Sequence, residues 1–192
     1  MSKYALIMID MQRGFIDPAS PLCIPSAAAT IPDCVRAISL CHESNIPVLY
    51  VTRHYRADGS DVEKCRHDTW LAGGRPMSEK CDAALSDAYP EEFKVRESDY
   101  CIYKPRFSAF FHTSVDLVLR RLGVDTVILA GTTTPNCVRT TCYDALSLDY
   151  DVIVLSDCTS SVTDEVQRAN LSDMQRIGAE IADVDTLAAK IK

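Results

Sequence analysis

The feature of this chain that most constrains its fold is an alternation of short apolar runs with segments of helical periodicity. The predicted strands are the runs Tyr4–Ile9, Ile46–Thr52, Asp99–Tyr103, Thr126–Ala130, Asp151–Leu155 and Glu180–Ala182. Several of these runs are almost continuously apolar, which indicates strands covered on both faces. Strands that alternate with helices form a parallel sheet with right-handed crossovers. The pattern therefore predicts an α/β fold in one domain over residues 1–192.

Four segments between the strands carry the spacing or the end signals of helices. They are Ile31–Ser44, Val115–Leu122, Thr134–Leu148 and the segment that follows Ser161. Gly123, directly after the second segment, is typical of a helix C-terminus. Thr134 is the predicted N-cap of the third, because its hydroxyl can accept a hydrogen bond from the first turn while Pro135 takes the first helical position. Ser161 opens a stretch that fits the capping-box pattern S-x-x-D.

Residues 53–97 interrupt this alternation. They contain many charged residues, the single tryptophan and several residues typical of turns, namely Gly59, Gly73, Gly74, Pro76 and Pro90. A long insertion at the carboxyl end of a strand is more often a lid or a binding loop than a second domain. We therefore expect residues 53–97 to form a lid within the domain.

Charge and hydropathy exclude several classes of protein. The net charge of −7 argues against nucleic-acid binding, which needs a basic surface. No apolar run approaches the roughly 20 residues that span a bilayer, and the apolar run near the N-terminus is too short for a signal peptide. We expect a cytoplasmic protein with no nucleic-acid or membrane partner. The nine cysteines are odd in number and contain no C-x-x-C pair, so free thiols are expected.

Three reactive side chains follow predicted strands, at the sheet edge where open α/β folds bind ligands. Asp10 follows the first strand, Lys104 the third, and Cys137 comes just after the fourth. Taken singly, each has an ordinary alternative: an aspartate in a turn, a solvated lysine and a cysteine in the core. Together they predict a catalytic triad, because a helix N-terminus and a cation lower a thiol pKa and a nearby carboxylate can take the proton.

Three motifs in this order carry a resemblance that covers essentially the whole chain. They are Asp10-Met11-Gln12-x-x-Phe15, Lys104-x-Arg106-x-Ser108-Ala109-Phe110 and Gly131-Thr132-Thr133-Thr134-x-x-Cys137-Val138. The pattern resembles the isochorismatase-like cysteine hydrolase superfamily. The resemblance implies a Rossmann-like sheet of six parallel strands in the order 3-2-1-4-5-6, flanked by helices, and an Asp-Lys-Cys triad at Asp10, Lys104 and Cys137. It also implies a homo-oligomer of two or more subunits, in which a neighbour often completes the pocket.

The same resemblance implies the surroundings of the nucleophile. Members of the superfamily have a non-proline cis peptide before the cysteine, and here it would join Thr132 to Thr133. Its expected role is to aim the backbone N–H of Thr133, with that of Cys137, at a developing oxyanion. Asp157 matches the aspartate that the superfamily carries at the end of the next strand.

Two differences from known members limit the types of reaction that we expect of this chain. Nicotinamidases carry T-R-D-W-H-P, whose aspartate and histidine bind a metal, whereas these positions are His54 and Arg56 here. A guanidinium cannot bind a divalent cation, so no metal or cofactor is expected, although His54 and His67 leave a metal site open. True isochorismatases lack the cysteine and hydrolyse a vinyl ether. Retention of Cys137 therefore implies hydrolysis of a small amide, ureido or carbamoyl C–N bond through a thioester.

Five residues are predicted to bind the small-molecule substrate: Gln12, Phe15, Arg56, Trp70 and Arg106. If the substrate carries a carboxylate, Arg56 and Arg106 can each hold it through two hydrogen bonds. Phe15 and Trp70 can wall an apolar pocket. Surface salt bridges and simple packing are the respective alternatives.

Other functions stay open. A nucleotide-binding module of Rossmann type would need a glycine-rich phosphate turn, and the sequence contains no G-x-G-x-x-G. A vinyl ether hydrolase and a metal-dependent nicotinamidase are alternatives within the superfamily. A catalytically silent member that acts by binding is a further alternative, because a fold does not establish a function.

Overall fold

A six-stranded parallel sheet forms the centre of the computed structural model, which describes residues 3–191. Its strands are β1 (Tyr4–Ile9), β2 (Val48–Arg53), β3 (Tyr100–Lys104), β4 (Thr126–Thr132), β5 (Asp151–Ser160) and β6 (Glu180–Ala182). The strand order is β3-β2-β1-β4-β5-β6, with every neighbouring pair parallel. This confirms the predicted class and order. The order reverses direction between β1 and β4, which places the expected ligand crevice beyond the carboxyl ends of these strands.

Helices cover both faces of the sheet. They are α1 (Arg13–Ile16), α2 (Ile31–Glu43), α3 (His67–Ala72), α4 (Val115–Leu122), α5 (Arg139–Ser147), α6 (Asp164–Arg176) and α7 (Val184–Lys190). Single 3₁₀ turns occur at Ala28–Thr30, Ala83–Leu85 and Glu91–Phe93. Among residues 3–191, no helix combines the length and the apolar character needed to cross a membrane.

The two faces of β1 belong to different hydrophobic cores. Ile7 and Ile9 pack into a core that α4, α5 and α6 close. Leu6 and Met8 point the other way, into a core shared with α2 and α7. All four side chains are fully buried, so neither face of β1 is exposed to solvent, as its apolar sequence predicts. The site at the end of β1 therefore rests on a strand held from both sides.

The turn that carries the predicted nucleophile begins differently from the prediction. A wide helical turn at Thr134–Val138 precedes α5, and Thr133 rather than Thr134 takes the N-cap position. The Thr134 hydroxyl instead donates to the carbonyl of Ser160 at 2.9 Å. This bond ties the turn to the end of β5.

The ends of two other elements also depart from the prediction. Thr163, not Ser161, caps α6, and its hydroxyl accepts the N–H of Val166 at 3.2 Å. β5 continues beyond Leu155 to Ser160, because it resumes pairing with β4 past an irregularity in the ladder. The longer strand places Ser160 next to the turn that carries the nucleophile.

β1 and β4 approach each other closely at Gly131, just before the site begins. This glycine has φ +116°, and a Cβ at its position would overlap the carbonyl oxygen of Ile9. Only glycine combines this conformation with this approach. The contact keeps the ends of β1 and β4 adjacent, which brings the residues that follow each strand together.

Residues 54–99, called the insertion below, connect β2 to β3 and replace the predicted bounds of 53–97, because Arg53 is still part of β2. The insertion contains α3 and two of the 3₁₀ turns. Beneath it lies a third, smaller apolar cluster made of Phe15, Tyr55, Val62, Trp70 and Met77. Phe15 comes from α1, so the insertion packs on the loop after β1 as part of the same domain.

Candidate active site

Three side chains meet beyond the carboxyl ends of β1, β3 and β4. Lys104 Nζ lies 2.7 Å from Asp10 Oδ2 and 3.5 Å from Cys137 Sγ. Asp10 is 1% exposed, Lys104 is fully buried and Cys137 is 5% exposed. One ammonium group thus contacts both other members of the predicted triad, in a site shielded from water.

Asp10 is fixed by its backbone and by both carboxylate oxygens. Its φ of +51° lies in the left-handed region, which aspartate tolerates better than most residues. Oδ1 accepts the backbone N–H of Arg53 at 3.1 Å, and Oδ2 faces Lys104. The carboxylate is therefore held in one orientation beside the lysine.

Lys104 is the last residue of β3, and its charge is compensated inside the protein. A buried ammonium is unfavourable unless it is paired and hydrogen-bonded. The carboxylate of Asp10 supplies the opposite charge, and the carbonyl oxygen of Arg106 accepts a hydrogen bond from Nζ at 3.1 Å. Its burial excludes the alternative of a solvated surface lysine.

The thiol of Cys137 has a raised pKa, which corrects the expectation of a lowered one. Burial is the largest cause and the negative charge of Asp10 adds to it, whereas the positive charges of Lys104 and Arg53 oppose both. Burial outweighs the two cations, so the thiol is protonated at neutral pH. Its activation then needs a general base, and the carboxylate of Asp10, which contacts the same lysine and is a hydrogen-bond partner of the thiol, can serve as one.

Arg53, the last residue of β2, is a second buried cation at the nucleophile that the sequence interpretation missed. Its Nη2 lies 3.6 Å from Cys137 Sγ. Its Nη1 contacts the carboxylate of Glu63 and donates to the Tyr55 hydroxyl at 2.9 Å. The same hydroxyl donates to Glu63 Oε2 at 2.6 Å. Arg53, Glu63 and Tyr55 therefore form a closed network that contacts the sulfur through one guanidinium nitrogen.

A signal for Arg53 was present in the strand periodicity. Leu49 and Val51 pack into the core that contains Cys137, and period-two alternation places Arg53 on the same face. In the ladder between β2 and β3, Arg53 is the register partner of Lys104. Arg53 and Lys104 thus end neighbouring strands on the same buried face. Two buried cations need anions nearby, so this pattern indicates a site with several charged side chains.

Gln12, a predicted substrate-binding residue, holds the backbone of Arg53. Its Oε1 accepts the Arg53 N–H at 2.8 Å, and its Nε2 donates to the Arg53 carbonyl at 2.7 Å. Gln12 is fully buried, and these two bonds engage both polar atoms of its side chain. The structure therefore gives Gln12 a positioning role at the end of β2.

The backbone before Cys137 has the predicted unusual form. The peptide that joins Thr132 to Thr133 is cis. Thr133 lines a cavity of about 240 Å³ that lies beneath the insertion. Asp157 is absent from this cavity wall; its Oδ2 accepts the N–H of Val184, the first residue of α7, at 3.0 Å.

Phe15 and Trp70 line this cavity, together with Tyr55 and Val62. The Trp70 indole N–H donates to the carbonyl of Pro76 at 2.9 Å, and the Tyr55 hydroxyl is bound in the Glu63 network. The polar atoms of both rings are thus already bonded within the protein. These four side chains give the cavity an apolar wall.

The two arginines predicted to clamp a carboxylate lie elsewhere. Arg56 is exposed, pairs loosely with Asp58 and lines a separate surface depression beside His54. Arg106 directs its Nη1 to the carbonyl of Asp61 at 2.9 Å and so ties the insertion to the loop after β3. The charged residue in the cavity lining is instead Arg66, which the sequence interpretation did not select.

The histidines that kept a metal site open do not come together. His54 pairs with Asp87 at 2.7 Å and stacks on Tyr103, whereas His67 lies beside Trp70. Within residues 3–191, no group of three or more histidine, cysteine, aspartate or glutamate side chains is placed to hold a metal ion. The residues present therefore do not fit the metal site of a nicotinamidase.

Comparisons with known proteins agree with this fold. The model of the isochorismatase domain family matches residues 4–186. A solved isochorismatase family protein from Desulfovibrio vulgaris is 36% identical, with a TM-score of 0.92 over 100% of this chain and 99% of that chain. A probable inactive nicotinamidase from Arabidopsis thaliana is 35% identical over 92% of this chain and 90% of its own length.

A named amidohydrolase is also among the relatives. The maleamate amidohydrolase of Pseudomonas putida is 30% identical, over 90% of this chain and 79% of its own length. The family match covers almost the whole chain, and the sheet order is the one that the sequence motifs imply. The chain therefore belongs to the isochorismatase family, whose members include amidohydrolases that act on C–N bonds.

Proposed function

We propose that the protein hydrolyses the C–N bond of a small amide, ureido or carbamoyl compound through a thioester on Cys137. The observation that carries this proposal is the contact of Lys104 Nζ with both Asp10 Oδ2 (2.7 Å) and Cys137 Sγ (3.5 Å). A nucleophile, a proton acceptor and a cation then share one buried site. An amidohydrolase among the relatives supports the same type of bond.

The first half of the proposed reaction forms the thioester. Asp10 takes the proton of the Cys137 thiol while the sulfur attacks the carbonyl carbon. The C–N bond then breaks, Asp10 passes the proton to the leaving nitrogen, and ammonia or an amine departs. The positive charge of Lys104 stabilises the sulfur anion as it forms.

The second half uses one water molecule. Asp10 accepts a proton from this water as its oxygen attacks the thioester carbon, and the C–S bond breaks. The proton then returns to the sulfur, which restores the resting thiol. The N–H groups of Thr133 and Cys137 are the proposed oxyanion donors in both halves, supported by the place of Thr133 in the cavity wall.

The cavity supports a substrate with a compact apolar body and one anionic group. Arg66 is the charged residue of the lining, and its guanidinium lies over the ring of Phe107 at 4.5 Å. The arginine ion pairs found within residues 3–191 are made by other arginines. We therefore assign to Arg66 the carboxylate-binding role that the sequence predicted for Arg56.

The proposal is tested by trapping the acyl-enzyme. The purified protein is mixed with a panel of small amides, ureas and carbamoyl compounds with and without a carboxylate, quenched in acid and measured by intact-mass and peptide mass spectrometry. We expect an acyl adduct on Cys137 together with release of ammonia or amine. Cys65→Ser is the matched control, because Cys65 is an exposed thiol in the wall of the same cavity.

The outcomes separate the enzyme from a silent member of the family. An adduct that Cys137→Ala abolishes and Cys65→Ser leaves intact supports the thioester. Turnover of a panel compound that persists in Cys137→Ala would contradict it and favour direct attack of water on the C–N substrate without a covalent intermediate. Binding of a panel compound without adduct or product would favour a silent member, as the name of the Arabidopsis relative suggests for that protein.

A further inference from the structure

We propose that Arg53 is a second cation for the Cys137 thiolate, and that Glu63 sets how strongly its charge acts on the sulfur. The proposal rests on the proposed role of Cys137 as nucleophile. It concerns a network that the triad does not include, made of Arg53, Glu63 and Tyr55.

The geometry places the guanidinium at the reacting atom. Arg53 Nη2 lies 3.6 Å from Cys137 Sγ, which matches the 3.5 Å from Lys104 Nζ to the same sulfur. Nη2 also donates to the carbonyl of Arg106 at 2.9 Å, and that carbonyl accepts from Lys104 Nζ at 3.1 Å. One backbone oxygen therefore positions both cations beside the thiol.

The burial of Arg53 argues against a purely structural role. The residue is fully buried, and its Nε has no hydrogen-bond partner among the described residues. A guanidinium stays charged at any physiological pH, and burying it is unfavourable unless all its donors are satisfied. A side chain chosen only to fill this space would not need a charge. The charge is retained at the one place where an anion forms during the proposed reaction.

The charged groups that face the sulfur are balanced before the reaction starts. Lys104 and Arg53 are the cations, Asp10 is the anion beside Lys104, and Glu63 is the anion bound to Arg53. The positive charge of Arg53 holds the pKa of Glu63 below its usual value although burial opposes this. Glu63 is thus ionised at neutral pH and weakens the effect of Arg53 on the thiol.

This arrangement predicts opposite effects for two substitutions in the same network. Arg53→Met removes a cation from the sulfur, so the pKa of Cys137 should rise. Glu63→Gln keeps an oxygen acceptor for Arg53 but removes the opposing charge, so the pKa of Cys137 should fall. A network that only supports the fold would give defects of the same sign in both variants.

The experiment measures alkylation of Cys137 by iodoacetamide against pH in the full-length protein without substrate, with peptide mass spectrometry as the readout. At neutral pH we expect Arg53→Met to slow alkylation about tenfold, Glu63→Gln to accelerate it several-fold, and Arg53→Lys to fall between wild type and Arg53→Met. Cys101, an exposed thiol on β3, serves as the internal reference in each sample. Arg56→Met is the matched control, because it removes an exposed arginine outside the cavity.

The outcomes distinguish this inference from the proposed function. If Cys137→Ala keeps the turnover seen in the trapping experiment, the nucleophile assignment fails. If Cys137→Ala abolishes that turnover but Arg53→Met and Glu63→Gln shift the alkylation profile in the same direction or not at all, the nucleophile stands and the inference about Arg53 is overturned. If Arg53→Met does not fold, the inference is tested with the other two variants: Arg53→Lys should slow the alkylation of Cys137 and Glu63→Gln should accelerate it.

Discussion

Arg53 and Arg56 are three residues apart, yet they belong to two regions that differ in almost every physical respect. Arg53 ends β2 and is fully buried against the nucleophile. Arg56 lies in the insertion, is exposed, and is paired with Asp58 at 3.5 Å between Nε and Oδ1. The first region is set by strand register, and the second by turns and short helices.

Strand register fixes the charged site within narrow limits. Arg53 and Lys104 are register partners at the ends of β2 and β3, and Asp10 directly follows β1. A shift of one residue in any of these strands would turn the charged side chain to the opposite face. The chemistry of the site therefore depends on a pattern that covers the whole sheet.

The insertion follows no such constraint. Its contacts with the site come from individual side chains, such as Glu63 on Arg53, Arg66 over Phe107 and Trp70 in the cavity wall. Loops can change their side chains without changing the fold beneath them. We therefore expect substitutions at the sheet edge, and at Glu63 that pairs with Arg53, to change the rate of the chemical step. Substitutions of the residues of the insertion that line the cavity, such as Arg66, should change substrate binding.

The largest effect is expected at the sheet edge for Asp10→Asn. An amide cannot accept the thiol proton, and removal of a general base typically costs about 10²–10⁴-fold in rate. Asparagine keeps the acceptor for the Arg53 N–H but removes the charge that compensates the buried Lys104, so thermal unfolding of the variant is measured beside its kinetics. Steady-state kinetics on a substrate found in the trapping screen should show a fall in kcat with KM nearly unchanged.

The control for Asp10→Asn is Asp61→Asn, which changes an aspartate of the insertion that accepts the backbone N–H of Arg56. Its kcat should match that of the wild type. A loss of less than tenfold in Asp10→Asn would mean that another group takes the proton, and the division between the two regions would have to be redrawn.

Sequence patterns predicted the sheet and the meeting of Asp10, Lys104 and Cys137 better than they predicted the pocket, and the reason is physical. Apolar runs and the residues that end them fix β1, β3 and β4, so Asp10 and Lys104 could be placed from the strand ends alone. The wall of the cavity is built by residues 54–99, where no period relates position in sequence to position in space. Arg56 is predicted from its position in the stretch that matches the nicotinamidase metal ligands, and that position carries no information about which arginine of the insertion faces the cavity.

The direction of the pKa shift of the Cys137 thiol could also not be predicted from the sequence. A cation and a helix start near Cys137 predict a lowered thiol pKa. The structure gives a raised one, because the sulfur is buried more deeply than sequence position can indicate. Arg53 could have been found from the alternation of Leu49 and Val51, since it continues their inward face.

A smaller effect, on binding, is expected in the insertion for Arg66→Ala. Loss of a charge-assisted hydrogen bond to a carboxylate costs about 1.5–3 kcal/mol, and the partial exposure of Arg66 favours the lower end, so KM should rise about tenfold. The value of kcat should change little, because the same contact is present in the ground state and the transition state. The measurement is a pair of Michaelis–Menten curves, for an acidic amide and for its neutral analogue.

Arg56→Ala is the matched control, since this arginine lies in a separate depression. It should leave KM unchanged for both compounds. A rise in KM for Arg56→Ala instead of Arg66→Ala would restore the carboxylate site to the residue that the sequence predicted. Equal changes for the acidic and the neutral amide would mean that Arg66 acts by packing on Phe107, not by charge.

The smallest effect is expected for removal of metal ions, and it tests whether the insertion supplies metal ligands. In a nicotinamidase-type site this segment would supply the ligands. Here His54 is bound to Asp87, and the described residues bring no third donor to either histidine. Dialysis against EDTA should therefore leave kcat/KM unchanged within experimental scatter, with metal content measured on the same samples.

Zinc, iron or manganese present in stoichiometric amount, together with activity lost on chelation and restored by the metal, would show that the insertion rearranges to bind a metal. His54→Ala would then abolish both metal and activity, whereas under the present assignment it leaves kcat unaltered.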